Sequence, residues 1–191
     1  MLCSAPPAAR HTPARLAVVV AAALLAALAA APPPAAAAVC QGATAHPAEV
    51  SGETIRRATL CLINEQRRDA GLGALRHNAQ LAVAARRHAR DMVERGYFAH
   101  ESPSRVSFVR RIEQTGYTRN ASWTLGENLA WGSGRLATPV EIVKAWMASP
   151  GHRANILGRF SEVGIGSAAG APVRRLEAAE TYASEFGARR F

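Results

Sequence analysis

A histidine follows a proline–glycine pair in the segment SPGHRANIL, residues 149–157. An amphipathic segment ending at Trp146-Met147 precedes the pair, and the apolar pattern resumes at Ile156-Leu157. A turn alone does not require an imidazole at this position. His152 is therefore either incidental or placed so that the break aims its ring into a cavity.

Other side chains capable of acid–base or ligand chemistry lie upstream. His100 lies in the loop sequence GYFAHESPS, and Glu127 and Asn128 have glycines on both sides in GENLAWG. His88 shares a helical face with Leu81, Ala85 and Met92, so it points toward the core. We interpret His88 as a buried histidine satisfied by a local hydrogen bond, because helical spacing explains it without a ligand.

The elements that position these residues follow from periodicity. Apolar spacing predicts helices over 53–70, 78–95, 105–114 and 139–148, with caps at Asn78 and Thr138 and a stop at Gly96. Alternation predicts strands at 162–168 and 181–187, and the segment 120–134 is extended or irregular. Helices first and strands last indicate the α+β class with an antiparallel sheet.

The N-terminus has the pattern of a secretory signal peptide. Arg10 and Arg15 precede an Ala/Leu/Val run over 16–31, and small residues continue to Ala38. A retained anchor is the alternative, but the run is short of a bilayer span of ~20 residues. Lipidation at Cys40 is disfavoured by the bulky Val39. We therefore predict cleavage after residue 38, a tail over 39–53, one domain over 54–191, and no stable membrane span after cleavage.

Cysteine usage agrees with export. Cys3 lies in the predicted leader, which leaves Cys40 and Cys61. Two cysteines in an oxidising compartment most simply form one disulfide. This bond would tie the tail to the first helix, closing a loop worth ~3 kcal/mol in the chain-entropy description.

The formal charge of +9 comes almost entirely from arginine, since Lys144 is the only lysine. The arginines are spread over several segments and often alternate with acids, which is typical of solvated helix faces. Envelope lipid or an anionic cell-wall component is a candidate partner. Nucleic acid is not expected, because no binding motif or aromatic stacking pattern accompanies the charge.

Five motifs occur together in the order GYFAHESPS, GENLAWG, WMASPGHRANIL, EVGIGSA and TYASEFG. In this order and spacing the chain resembles the CAP superfamily of cysteine-rich secretory, antigen 5 and pathogenesis-related proteins. The likeness covers roughly residues 54–188 and is strongest to the secreted bacterial members with a domain of this kind. The resemblance implies an α–β–α sandwich, with a small antiparallel sheet between helices.

The resemblance also implies a cleft. Many eukaryotic members hold two histidines and two glutamates there, and some bind a divalent metal through the histidines. The matching positions are His100, Glu127 and His152, whereas Ser149 stands where the second glutamate is usual, and these four are the candidate cleft residues. His100 and His152 are thus the candidate metal ligands, with zinc as the candidate metal.

The retained groups permit more than one role. Neutral imidazoles bind zinc or copper, and Glu127 could be a third ligand, an acceptor that orients a ring, or a general base. A catalytic zinc usually has three protein ligands, and no activated serine or cysteine nucleophile is visible. Glu127 and Asn128 could instead lock the loop backbone, and the histidines could wedge helices against the sheet.

Three hypotheses follow. The first is a secreted, non-enzymatic binding module whose His/Glu cleft takes a divalent metal or a small apolar ligand. The second is a metal-assisted hydrolase of the cell envelope that uses His100, Glu127 and His152. The third is an interaction module in which the cleft is purely structural.

Overall fold

The structure is a computed structural model that describes residues 40–173 and 176–191. The predicted signal peptide lies outside the described residues. The elements, in chain order, are α1 Gly52–Asp69, β1 Arg76–His77, α2 Ala79–Arg95, α3 Phe108–Glu113, β2 Ser122–Ser133, a 3₁₀ turn Gly134–Ala137, α4 Pro139–Ala148, α5 Pro150–Ile156, β3 Glu162–Ala169 and β4 Ala179–Arg190.

The long helices begin and end where their capping residues stand. The Asn78 side chain accepts hydrogen bonds from the backbone N–H groups of Gln80 and Leu81, which satisfies free donors of the first turn of α2. Gly96 ends this helix in the left-handed region, with φ of 68°. The predicted cap and stop of α2 are both confirmed. Thr138 lies at the cap position of α4, but its hydroxyl donates to the Arg135 carbonyl instead.

The four strands found in the described part of the chain form one sheet in the order β1-β3-β4-β2. β4 is the central long strand and pairs antiparallel with β2 on one side and β3 on the other. β1 pairs parallel with Glu162 and Val163 of β3, so the sheet is mixed rather than wholly antiparallel. β1 was not predicted, because a two-residue strand has no periodicity.

Helices cover both faces of the sheet. α1, α4 and α5 contact one another on one face, and α2 with α3 covers the other. Gly164 and Gly166 of β3 make the second contact close, because a Cβ at either position would overlap the α2 backbone. The chain is thus of the α+β class, as the residue pattern predicts, and forms an α–β–α sandwich, as the family resemblance implies.

The predicted third helix is shorter than expected at its start. α3 begins at Phe108 rather than near Arg105, because Arg105 has a φ of 60° and cannot continue a helix. The Ser107 hydroxyl instead accepts from the Arg110 backbone N–H and caps the helix.

The Pro150-Gly151 pair both separates two helices and starts the second. α4 ends at Ala148 as predicted, but Pro150 then occupies the first turn of α5. Proline is favoured at this position because its missing N–H has no partner within a helix and its φ is already helical. His152 therefore lies on a short helix, not in a loop.

The predicted disulfide is confirmed. Cys40 and Cys61 are bonded with their Cα atoms 5.6 Å apart, which ties the tail to α1. The tail is also held to α4, because the Val140 N–H donates to the Ala43 carbonyl at 3.0 Å. Within residues 40–173 and 176–191, no helix has the length and apolar character needed to cross a membrane.

Candidate functional site

The buried carboxylate of Glu127 is the centre of the polar cluster. Its Oε1 lies 2.7 Å from His100 Nδ1, and its Oε2 accepts a hydrogen bond from Arg111 at 2.6 Å. The Glu127 side chain is 1% exposed, whereas that of His100 is 57% exposed. Burial alone would raise the pKa of Glu127, but the hydrogen bond to His100 and the Arg111 charge reverse this and lower it. Glu127 is therefore ionised at neutral pH.

Arg111 lies on α3 and holds the polar cluster in place. Its guanidinium also donates to the backbone carbonyls of His100 and Val106, each at 3.0 Å. These bonds fix the loop that carries His100 at the same time as they neutralise Glu127. A single side chain thus sets both the position of the histidine and the charge state of its partner.

His88 lies behind the carboxylate rather than at the surface. Its Nε2 is 3.0 Å from the Ala99 carbonyl and 3.9 Å from Glu127 Oε2, and the residue is 1% exposed. Burial lowers its pKa to about 4, against the opposing attraction of Glu127. The ring is neutral at neutral pH, and the carbonyl of Ala99 is the local partner that the sequence interpretation expected.

A second carboxyl lies beside Glu127. Glu185 is opposite Glu127 in the β2–β4 pairing and is 0% exposed, and the hydrogen-bonding neighbour of its carboxyl is Glu127 itself. Burial raises its pKa well above the usual value, and the negative charge of Glu127 adds to this. The pKa values of these two neighbouring carboxyls are therefore shifted in opposite directions, that of Glu127 downward and that of Glu185 upward.

His152 approaches from the other face of the edge strand β2. Asn128 donates to the His152 carbonyl at 3.0 Å, and Asn155 donates to Asn128 Oδ1 at 2.8 Å and to the Glu127 carbonyl at 3.1 Å. These amides bind α5 to β2 at the residues next to Glu127. The site thus wraps around the β2 edge of the sheet, with His100 reached from one face and His152 from the other.

The two histidines of this edge titrate in opposite directions. The hydrogen bond to Glu127 raises the pKa of His100 above its ordinary value, although burial opposes it. Burial lowers the pKa of His152, and the positive charge of His100 lowers it further. The second effect is coulombic, so the two rings lie within electrostatic reach of each other.

Comparison with known proteins identifies the family. The sequence profile of the cysteine-rich secretory protein family, CAP, matches residues 60–182. The chain belongs to the CAP family. This match includes His100, Glu127 and His152, and it confirms the resemblance carried by the five motifs.

One relative and two solved structures illustrate how far the CAP likeness extends. The chain is 37% identical over 124 residues to the uncharacterized protein YkwD of Bacillus subtilis, a match covering 64% of this chain and 45% of that protein. The chain thus spans less than half of that relative. An outer surface protein of Borrelia burgdorferi is 19% identical with a TM-score of 0.60, covering 74% of this chain and 97% of its own.

An extracellular SCP-domain protein of Bacillus anthracis is similar at 24% identity and a TM-score of 0.55, covering 72% of this chain and 43% of that protein. At these identities the two structures support the fold alone. The disulfide of this CAP domain is a bond of the kind that persists in oxidising compartments.

Ser149 joins α4 to α5 through its backbone. Its N–H donates to the Trp146 carbonyl at 3.2 Å, and its carbonyl accepts from the Arg153 N–H at 2.8 Å. The side chain caps neither helix. Ser149 therefore supplies no carboxylate to the cluster, and the second carboxyl beside Glu127 is that of Glu185, on β4.

The side chains at this edge fit a metal held by two histidines better than a metal held by three ligands of different types. Among residues 40–173 and 176–191, the one group of three His, Cys, Asp or Glu ligand atoms close together is Cys40, Cys61 and Glu65. Its sulfurs form the disulfide, so it is not a metal site. At the β2 edge both Glu127 oxygens are already engaged, which leaves the imidazoles of His100 and His152 as the free nitrogen donors.

Two residues of the cluster were missed by sequence reasoning. Arg111 was not singled out because the prediction of a helix over 105–114 rests on its apolar residues and says nothing about a charged residue among them. Glu185 was placed on a strand, but nothing in alternation distinguishes a buried acid from an exposed one. The signal available for Arg111 was its position within a helix that follows the His100 loop directly.

Proposed function

We propose that this CAP domain is a non-enzymatic, extracellular binding module that holds a divalent cation, preferably zinc, between His100 and His152. The observation that carries the proposal is the 2.7 Å contact between His100 Nδ1 and Glu127 Oε1. A carboxylate acceptor at Nδ1 fixes the proton on that nitrogen and leaves Nε2 with its lone pair for a ligand. The disulfide supports the extracellular location.

Glu127 acts in this proposal through His100. Carboxylates that accept from the second nitrogen of a ligating histidine orient the ring and increase its basicity. The raised pKa of His100 has the same cause. Zinc, when bound, would polarise a coordinated water, but the chain's own part is to hold two imidazoles in position.

The same geometry disfavours the hydrolase hypothesis. A general base must reach the proton it removes, yet Glu127 is 1% exposed and both its oxygens are engaged by His100 and Arg111. Glu185 is still less accessible. An apolar ligand is also disfavoured at this edge, because imidazoles, amides and charged groups form it.

Zinc titration of the purified protein tests the proposal. We expect wild type to bind zinc stoichiometrically by calorimetry, and His100→Ala and His152→Ala each to weaken binding at least ~10-fold. His46→Ala is the control, since His46 lies in the N-terminal tail where its Nδ1 accepts from the Ala48 N–H. Glu127→Gln should weaken zinc binding ~10- to 100-fold, as loss of such an acceptor does elsewhere.

The outcomes separate the three hypotheses. Unchanged zinc affinity in the double histidine variant would overturn the ligand assignment. Absence of zinc binding in wild type, with the fold lost in Glu127→Gln, would favour the purely structural role. Hydrolysis of an envelope substrate that disappears in Glu127→Gln while the fold persists would favour the hydrolase.

A further inference from the structure

A basic groove lies at the opposite edge of the sheet from the histidine site. β1 pairs with Glu162 and Val163 of β3 and ends at His77, so it borders only the start of β3. Beside Ile165 of β3 is a cavity of about 570 Å³. Its walls come from both helical layers, with Arg56, Arg57 and Leu60 from α1 and Arg86 from α2.

The arginines of this groove are largely unneutralised. Among the described residues, neither Arg56 nor Arg86 forms an ion pair with an acid, whereas Arg57 lies 3.8 Å from Glu53 in an exposed pair. Exposed pairs of this kind are weak. The groove therefore gathers three guanidinium groups against the single lining carboxylate of Glu53.

Arg56 and Arg86 are close enough to affect each other. Burial lowers the pKa of Arg56, and the charge of Arg86 lowers it further, while Glu53 and Glu180 act in the opposite direction. Two like charges held together from separate helices repel each other. A bound anion would relieve that repulsion.

We infer that this groove binds a phosphate ester, with the phosphate held between Arg56 and Arg86 and its organic part along Leu60 and Ile165. Guanidinium groups match phosphate oxygens in paired hydrogen bonds, which a lysine-rich patch would not do. Leu60 and Ile165 provide an apolar wall for a short carbon chain. His77 lies at the rim and adds a further donor.

At a cell surface a phosphate ester can come from two sources. One is a phospholipid headgroup, and the other is a soluble or polymer-borne phosphate ester. Glycerol 3-phosphate, followed by calorimetry, serves as the soluble probe. Vesicles of phosphatidylglycerol, compared with phosphatidylcholine in cosedimentation, serve as the lipid probe. Binding of the soluble ester with no gain on vesicles assigns a soluble source, and binding of phosphatidylglycerol vesicles alone assigns a lipid surface.

Two double variants test this assignment, and they remove the same amount of positive charge from different positions. Arg56→Gln/Arg86→Gln should weaken binding of the responding probe ~10-fold or more, because each charge-assisted contact is lost. Arg68→Gln/Arg90→Gln removes the same charge from exposed positions on the same two helices and should leave binding within about twofold. Equal losses in the two variants, or no binding of either probe by wild type, would overturn the assignment.

The proposals for the groove and for the histidine site can be tested independently of each other. The Arg56/Arg86 variant should bind zinc like wild type, since the groove borders β3 and the histidine site borders β2 at the other edge. The His100/His152 variant should conversely retain phosphate-ester binding. Loss of both activities in either variant would contradict the independence of the two sites.

Discussion

Glu127 and Glu185 lie opposite each other on the antiparallel strands β2 and β4, and both are buried. Glu127 is bonded to His100 and Arg111, whereas the hydrogen-bonding neighbour of Glu185 is Glu127 itself. The different surroundings shift the pKa values of these two neighbouring carboxyls in opposite directions. The raised pKa of Glu185 predicts a pH dependence of stability that can be assigned to this residue by substitution.

Replacing Glu185 with glutamine should make the protein more stable at neutral and alkaline pH. Burial, with the Glu127 charge beside it, raises the folded-state pKa of Glu185, so stability is fully present below the unfolded pKa of ~4.5 and is lost as pH rises toward the folded value. Each pH unit in that window costs ~1.4 kcal/mol. Urea unfolding of Glu185→Gln and wild type should diverge as pH rises, and curves that stay parallel would contradict a raised pKa. Glu94→Gln, on the exposed side of α2, is the control.

Arg111→Gln should destabilise the domain strongly. The substitution leaves the ionised Glu127 buried without its cation, which costs ~3–5 kcal/mol in other proteins. Arg110→Gln is a matched control on the same helix, because its pair with Glu113 is exposed and worth at most ~1 kcal/mol. Urea unfolding at neutral pH measures both. Adding Glu127→Gln to Arg111→Gln should recover part of the loss, and simple additivity would argue against direct coupling.

His88 should destabilise the fold when it is protonated. Burial lowers its folded-state pKa to about 4, so the stability gained by keeping the ring neutral is present above ~6.5 and is lost as pH falls from there toward 4. The difference corresponds to ~3 kcal/mol. The imidazole proton shifts should titrate near pH 4 in nuclear magnetic resonance, and a midpoint near 6.5 would contradict the burial. His77, which is exposed, is the internal control.

The Cys40–Cys61 disulfide should stabilise the domain by constraining the unfolded chain. A sequence separation of 21 residues corresponds to ~3 kcal/mol. The double variant Cys40→Ser/Cys61→Ser should therefore unfold at lower urea concentration. Reductant should shift wild type to the same midpoint and leave the variant unchanged. A wild-type midpoint insensitive to reductant would contradict a stabilising bond.

Much of the fold was predictable because helix ends have local chemical signals. Asn78 and Gly96 mark the start and the end of α2 in the sequence, and the structure places the ends of the helix at the same residues. Pro150 was misleading, because proline after a helix marks either its end or the first turn of the next helix. These two possibilities differ only in whether the residues after the proline are helical, and for that reason α5 was not predicted.

The residues of the polar cluster around Glu127 were less predictable, because one of them lies on a strand that has helices packed against both of its faces. β4 is buried from Ala179 to Gly187, since α2 packs on one face and α1 and α4 lie on the other. Polar and apolar residues then alternate without indicating exposure, and Glu185 could not be distinguished from a solvated acid. Arg111 is brought to Glu127 by the packing of α3, which no local pattern encodes.

Zinc titration observed at the imidazole nitrogens of His100 and His152 tests the proposed site most directly. With ¹⁵N-labelled protein, we expect the His100 Nε2 and His152 ring signals to change together and to saturate at the same zinc stoichiometry. His100 Nδ1 should keep its proton and its hydrogen bond to Glu127 throughout. Signals that stay unchanged at saturating zinc, or a response from only one of the two rings, would contradict a shared metal site at this edge.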